Sequence, residues 1–140
     1  MMVKKMIACE YAWHFVGRPY IWGGDDPMRG YDCSGLVQEI LASVGMDPKG
    51  DQSAQAMFEF YLSVSEREMR GPGALVFYGL RPDKITHIAF MIDDQHIIEA
   101  GGGGSKTLTE KDAIEQNAFV RIRPWNHRKD VVAILMPVYA

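Results

Sequence analysis

The sequence predicts an α+β fold, with N-terminal helices packed on a C-terminal antiparallel β-sheet, and three observations support this. Apolar residues recur at spacings of three and four as far as Leu62, they gather into short runs separated by turn residues from Ala74 onward, and Gly71-Pro72-Gly73 stands between the two patterns. At 140 residues the chain is long enough for one domain with its own core and too short for two, so residues 1–140 are expected to form a single domain.

The elements follow in order. Residues 3–16 read as a helix whose apolar face is Met6, Ile7, Trp13 and the Cys9, Ala12, Val16 series, stopped by Gly17 and Pro19. Cys9 belongs to that packing face, and His14, with no acid at helical spacing toward Cys9, is a surface or boundary residue. Residues 19–32 form a loop punctuated by Gly23-Gly24, Asp25-Asp26-Pro27 and Gly30, which let the backbone pass close beside other groups. Loops of this length without regular structure are often functional. A second helix starts at Cys33, with Asp32 as its N-cap; Leu36, Val37, Ile40, Leu41 and Val44 form its stripe and Gly45 ends it. After a polar connection over residues 46–52, a third helix begins near Ser53 and buries Ala54, Met57, Phe58, Tyr61 and Leu62, with Gln55 standing off that stripe. Residues 63–70 are charged and irregular.

In the second half, residues 74–78, 87–92, 96–100, 119–123 and 131–138 read as strands. Asp93-Asp94-Gln95 makes the second and third of these a hairpin, residues 101–104 are a flexible glycine loop, and residues 107–116 are a loop or short helix.

Composition removes several classes of function. Fifteen Lys+Arg against 18 Asp+Glu, a formal charge of -3, leave no basic face for nucleic acid. Two cysteines are too few for a disulfide scaffold, so the fold rests on its 47% of hydrophobic residues. Lys4 and Lys5 before Met6-Ile7-Ala8-Cys9 superficially resemble the end of a lipoprotein signal, but only four residues separate Lys5 from Glu10. A secretory signal needs an apolar run of about seven or more. No run of about eighteen apolar residues is present either, so neither an export signal nor a membrane span is expected.

The residues able to do chemistry centre on Cys33. At a helix N-terminus, unpaired backbone N–H groups and the positive end of the helix dipole favour a thiolate, the form nucleophilic chemistry needs. Asp32 works against this, because its carboxylate opposes ionisation of the neighbouring thiol unless a partner occupies it. A cysteine at this position also has an ordinary use as a small packing residue. A nucleophilic cysteine requires a histidine as base and acid, and a third group to orient the imidazole. His87 opens a strand directly after a loop, so its ring can sit at the sheet edge. If Asp93-Asp94-Gln95 form a three-residue loop, Ala89 lies opposite Glu99, and Glu99 shares a face with His87 at a diagonal of about 7–8 Å. A slip of one residue would send Glu99 to the other face.

Four segments together resemble a known family: Pro19 to Gly24, reading PYIWGG; Tyr31 to Gly35, reading YDCSG; the ALVFY strand after Gly73; and the strand headed by His87. The resemblance is to NlpC-type cysteine peptidases, papain-like cell-wall endopeptidases, and it spans roughly residues 12–105. It implies that Cys33 is the nucleophile and His87 the base, that Tyr20 stands beside the cysteine, and that Asp32 and Ser34 line the peptide groove. An ammonium or amide held by Asp32 would then answer the electrostatic objection. The reaction implied is hydrolysis of an amide in a peptidoglycan stem peptide, typically between D-glutamate and a diamino acid, without cofactor or metal. Two positions depart from the usual pattern: Glu99 stands where such enzymes commonly carry His, Asn or Gln, and Ala74 replaces the Asp at the strand entry. A carboxylate in the third position would hold His87 charged more firmly and shift the pH optimum upward. Residues 51–55 and 99–105 look most like short stand-alone forms carried by bacteriophages. A chain made in the cytoplasm without an export signal would reach the wall by phage lysis, a virion or a secretion apparatus.

Other readings compete. AGGGGSKT, residues 100–107, nearly spells a phosphate-binding loop, but Ser105 holds the place of the final glycine and too little chain follows for a nucleotidase. A groove rim fits it better. A metal site from His87, Asp93, Asp94 and His96 is opposed by the alternation of strand side chains. Trp22, Trp13 and Trp125 could face sugar rings or fill core, and Trp22, within the PYIWGG segment, is the one assigned to substrate. A non-catalytic wall-binding or virion structural module of the same fold, and an amidase or acyltransferase using the same dyad, are the alternative functions.

Overall fold

The computed structural model describes residues 2–26 and 30–139; Met1 and the Pro27 of the expected Asp25-Asp26-Pro27 turn lie outside them. Helix α1 (Met2–Trp13) leads through a loop with a two-residue ladder, β1 (Asp25–Asp26) and β2 (Gly30–Tyr31), into α2 (Cys33–Ala42) and α3 (Ala54–Leu62). The sheet follows: β3 (Ser65–Arg67), β4 (Leu75–Gly79), β5 (Ile85–Met91), β6 (His96–Gly101), then α4 (Glu110–Gln116), β7 (Phe119–Pro124) and β8 (Val131–Pro137). The six strands lie in the order β3-β8-β4-β5-β6-β7, and each neighbouring pair is antiparallel. The molecule is α+β, as the two patterns of apolar spacing require.

The caps explain why the helices start where they do. Asp32 accepts a hydrogen bond from Gly35 N at the head of α2, and Ser53 accepts one from Ala56 N at the head of α3. Thr109 and Asp112 form a reciprocal capping box on α4. Between α2, α3 and the sheet lie Leu36, Val37, Ile40 and Leu41 of α2, Met57, Phe58 and Tyr61 of α3, and Phe77, Ile88 and Phe90 of the central strands, all buried. Phe58 meets Phe77 edge to face at 5.2 Å. Strands β4 to β6 are buried almost throughout, so their faces are covered on both sides and alternation is weak there.

Two expectations are corrected. The buried side of α1 is Ala8, Ala12 and, just beyond the helix, Phe15, whereas Met6, Ile7, Trp13 and Val16 are exposed. Small residues bring α1 close to α2, and Phe15 then stacks edge to face on Tyr11 and Tyr31. The larger apolar side chains fall on the opposite side, and Val16 lies past the last helical residue. Residues 65–67, read as irregular, form the edge strand β3, pairing Ser65 with Pro137 and Arg67 with Leu135. Their charge is what an edge strand facing water uses against further pairing, and it hides the strand pattern.

The β7–β8 connection sets up the site. β7 ends with Pro124 beside His96, at the hairpin end of β6, and β8 begins with Val131 beside Tyr78, which itself pairs with His87. Residues 125–130 must therefore cross the sheet diagonally. They are tied down at the start by Trp125, whose N donates to Gln95 O and whose O accepts from the Tyr78 hydroxyl, and at the end by Gly79 N donating to Asp130 O.

Candidate active site

Cys33 is the first residue of α2, and the loop before it holds the helix start against the sheet. Tyr20 N donates to Ala118 O, Trp22 N to Thr107 O, and Asp32 N to Gly24 O. The approach is so tight that a Cβ on Gly35 would lie 2.1 Å from Gly24 O, which is why glycine is needed after Cys33-Ser34. The Asp32 carboxylate also accepts from Gly23 N at 3.1 Å and from Ser34 Oγ at 3.3 Å. Burial raises the Asp32 pKa and the acid at Asp51 adds to this, while the bonds from Gly35, Ser34 and Gly23 oppose it. The Asp32 carboxylate is therefore directed at amides of its own loop and helix.

The other half comes from the β5–β6 hairpin. Phe90 pairs with Ile98, Met91 with Ile97, and Ile92 N donates to His96 O, so Asp93-Asp94-Gln95 is a three-residue loop and Ala89 lies opposite Glu99. This is the register the sequence requires, and Glu99 shares a face with His87. The His87 Nε2 and Glu99 Oε1 atoms are 2.6 Å apart with both side chains buried. A carboxylate only accepts, so Nε2 carries the proton, and Nδ1 is the ring nitrogen left for Cys33, which lines the same cavity and helps raise the His87 pKa. One detail differs from the sequence reading. β5 is an interior strand, and His87 reaches the cavity because it stands near the strand's start, not because it lies at a margin of the sheet.

Electrostatics make this a charged cluster. Burial alone would lower the His87 pKa, but hydrogen bonds and charge from Cys33 and Glu99 outweigh it and raise the value to about 9. Burial would lift Glu99, but His87, with His127 and Arg123, holds its pKa below the usual carboxylate range. His127 Nε2 lies 2.9 Å from Glu99 Oε2; burial lowers the His127 pKa, helped by Arg123 and opposed by Glu99, which leaves a neutral ring able to donate.

Sequence reasoning missed four residues around this cluster. His127, Arg123, Arg128 and Tyr78 reach it through the diagonal connection or a neighbouring strand. Tyr78 packs on His87 with ring centroids 5.5 Å apart, and Arg128 lies over Tyr78 at 5.0 Å while it pairs with Asp130. The only local signal was a polar run, Asn126-His127-Arg128-Lys129-Asp130, between two strands.

Two cavities meet at Cys33. One, of about 310 Å³, is lined by His87, Glu99, Arg123, His127, Arg128 and the glycines of residues 101–104; the other, of about 490 Å³, by Asp32, Ser34, Asp51 and Gln55. Tyr20, Trp22, Cys33 and Thr86 border both. Tyr20 is buried, and burial, with Cys33 and Asp32 nearby, raises its pKa so that its hydroxyl remains a donor. Trp22 is 52% exposed and forms part of the wall; Trp13 is exposed away from it, and Trp125 is half-buried under Arg70. The 101–104 loop is a rim, and the helix after it opens with Glu110 and Asp112, which occupy the end where a phosphate would need free N–H groups. Asp93 and His96 pair with each other in the hairpin loop at 3.1 Å.

The NlpC/P60 family pattern matches residues 17–123, more than half of the chain. The chain belongs to the NlpC/P60 family. Its curated relatives include the bifunctional muramidase/DL-endopeptidase CwlT of Bacillus subtilis, 34% identical over 92 residues, which covers 64% of this chain and 27% of that protein. They also include the probable endopeptidase YafL of Escherichia coli, 31% identical over 88 residues, covering 61% of this chain and 34% of YafL. The chain thus spans about a quarter to a third of the length of these relatives. Among solved structures it is similar to the NlpC/P60 domain of the peptidoglycan hydrolase SagA, with TM-score 0.68, 20% identity, and 94% of this chain and 97% of that one covered. It is also similar to RipB from Mycobacterium tuberculosis, with TM-score 0.68, 20% identity, and 96% and 64% covered. Its α+β fold is the papain-like NlpC/P60 fold.

Proposed function

We propose that residues 1–140 form one NlpC/P60 cysteine endopeptidase domain that hydrolyses an amide in a peptidoglycan stem peptide, between D-glutamate and a diamino acid, at the cell wall. The observation that carries this reading is the contact chain from Cys33 through His87 to Glu99, with its 2.6 Å His87–Glu99 bond, at the junction of two cavities. Membership of the family and relatives named as endopeptidases support the substrate class.

The steps follow from the parts. The Cys33 sulfur attacks the scissile carbonyl and forms a C–S bond, while the backbone N–H of Cys33 and the Tyr20 hydroxyl stabilise the oxyanion. His87, protonated and oriented by Glu99, gives its proton to the leaving nitrogen as the C–N bond breaks. Water, deprotonated by His87, hydrolyses the thioester and regenerates the thiolate–imidazolium pair. Tyr20, Trp22, Asp32 and Ser34 line the acyl side of the groove. Cys33→Ala is expected to abolish release of stem fragments from purified sacculi while leaving the circular dichroism spectrum unchanged. Fragment release at the wild-type rate would remove Cys33 from the mechanism.

A further inference from the structure

The two cavities that meet at Cys33 differ in charge, and the chemistry says which part of a substrate each receives. The leaving nitrogen must take its proton from His87, so the leaving unit lies in the cavity that His87 lines. That cavity also holds Arg123 and Arg128, whereas the acids Asp32 and Asp51 line the other. Arg128 is committed, with its Nε 2.9 Å and a terminal nitrogen 2.6 Å from the Asp130 carboxylate. His127 is bound to Glu99. Arg123 differs. Among the described residues its one carboxylate within 4 Å is Glu99, at 3.7 Å, which is beyond hydrogen-bond reach, and Glu99 already pairs with His87 at 2.6 Å and lies 2.9 Å from His127. Its side chain is 40% exposed. A guanidinium in this setting offers a planar donor pair suited to a carboxylate.

Building on the proposed endopeptidase reading, we propose that Arg123 is a specificity residue that binds a free carboxylate on the leaving diamino acid. The carboxylate has two possible sources, the α-carboxylate of a stem that ends at the diamino acid or a side-chain carboxylate of the diaminopimelate kind. The residue lies at the end of β7, one diagonal step from Glu99, where the diagonal connection begins. It acts on the leaving unit and takes no part in bond making.

Three peptides with the same L-Ala-γ-D-Glu acyl part test this: a leaving lysine amide, a leaving lysine free acid, and a leaving diaminopimelate with only its side-chain carboxylate free. For the wild-type protein, at least one carboxylate-bearing peptide is expected to be cleaved with kcat/KM about tenfold or more above the lysine amide, the size of one charge-assisted contact. The peptide favoured identifies the source. Arg123→Gln is expected to bring the three to within about threefold of each other, with its thermal unfolding monitored as a check on folding. Equal wild-type rates, or a preference that survives Arg123→Gln, would overturn the assignment. Calorimetric binding of the same peptides to the Cys33→Ala protein separates the two readings. Carboxylate-selective binding without any cleavage by the wild type would sink the endopeptidase and keep Arg123 as the carboxylate site, and unselective or absent binding would overturn Arg123 as well.

Discussion

Glu99 is one carboxylate with three cations or donors around it. His87 takes one oxygen at 2.6 Å, His127 the other at 2.9 Å, and Arg123 stands at 3.7 Å. Together with Cys33, its ionised form keeps His87 charged, since burial alone would discharge the imidazole. The sign of the pH effect follows. In the proposed mechanism His87 must be protonated to deliver a proton to the leaving amine, so activity is expected to fall as pH rises through about 9, where His87 loses that proton. Glu99→Gln keeps an oxygen acceptor for Nε2 but removes the charge, so the His87 pKa drops and the alkaline limb of the kcat/KM profile moves to lower pH. A profile whose alkaline limb stays in place would show that the charge of Glu99 does not set the protonation of His87. An amide or imidazole in this position, as the family commonly has, would not supply this charge, and that difference was legible in the sequence alone.

At the scale of elements, the hairpin and the glycine loop do different work. The hairpin was readable because a three-residue turn and a period of two leave one register that puts His87 and Glu99 on one face, and Phe90 opposite Ile98 is that register. The glycine loop was readable only as a rim. Its packing depends on contact with a distant element: a Cβ on Gly103 would lie 2.3 Å from Tyr20 Cδ1 and 2.8 Å from Thr107 Oγ1, whereas one on Gly104 meets nothing within 4 Å. Gly103→Ala is therefore expected to push Tyr20 out of position, lowering kcat/KM by about tenfold or more and stability by about 1–3 kcal/mol. Gly104→Ala should leave both unchanged. Steady-state kinetics and thermal unfolding of the two variants check this, and equal behaviour of the pair would refute the role of the Gly103–Tyr20 contact.

The whole molecule explains what remained hidden. Cys33, Tyr20 and Asp32 are close in sequence, and His87 and Glu99 share a hairpin, so local patterns could reach them. His127 and Arg128 meet the cluster only because β8 returns to pair with β4 instead of β7, and no local spacing encodes that strand order. The exposed face of α1 was misread for a similar reason: Ala8 and Ala12 are chosen by close approach to α2, a tertiary fact, over the bulkier Met6 and Ile7. The helix that carries Cys33 and the strand that carries His87 are joined through the core, where Ile40 of α2 is fully buried in the cluster that also holds Ile88 of β5. Truncation there should act on the site through the fold. Ile40→Ala is expected to cost about 2–5 kcal/mol and to lower the melting temperature by about 10 °C. Activity and the far-UV circular dichroism signal should be lost together on heating, because the two halves of the site separate only when the core opens cooperatively. Loss of activity well below the spectroscopic transition would instead mean that α2 can leave β5 while the sheet stays folded, and that the Cys33–His87 contact is a local arrangement independent of the core beneath it.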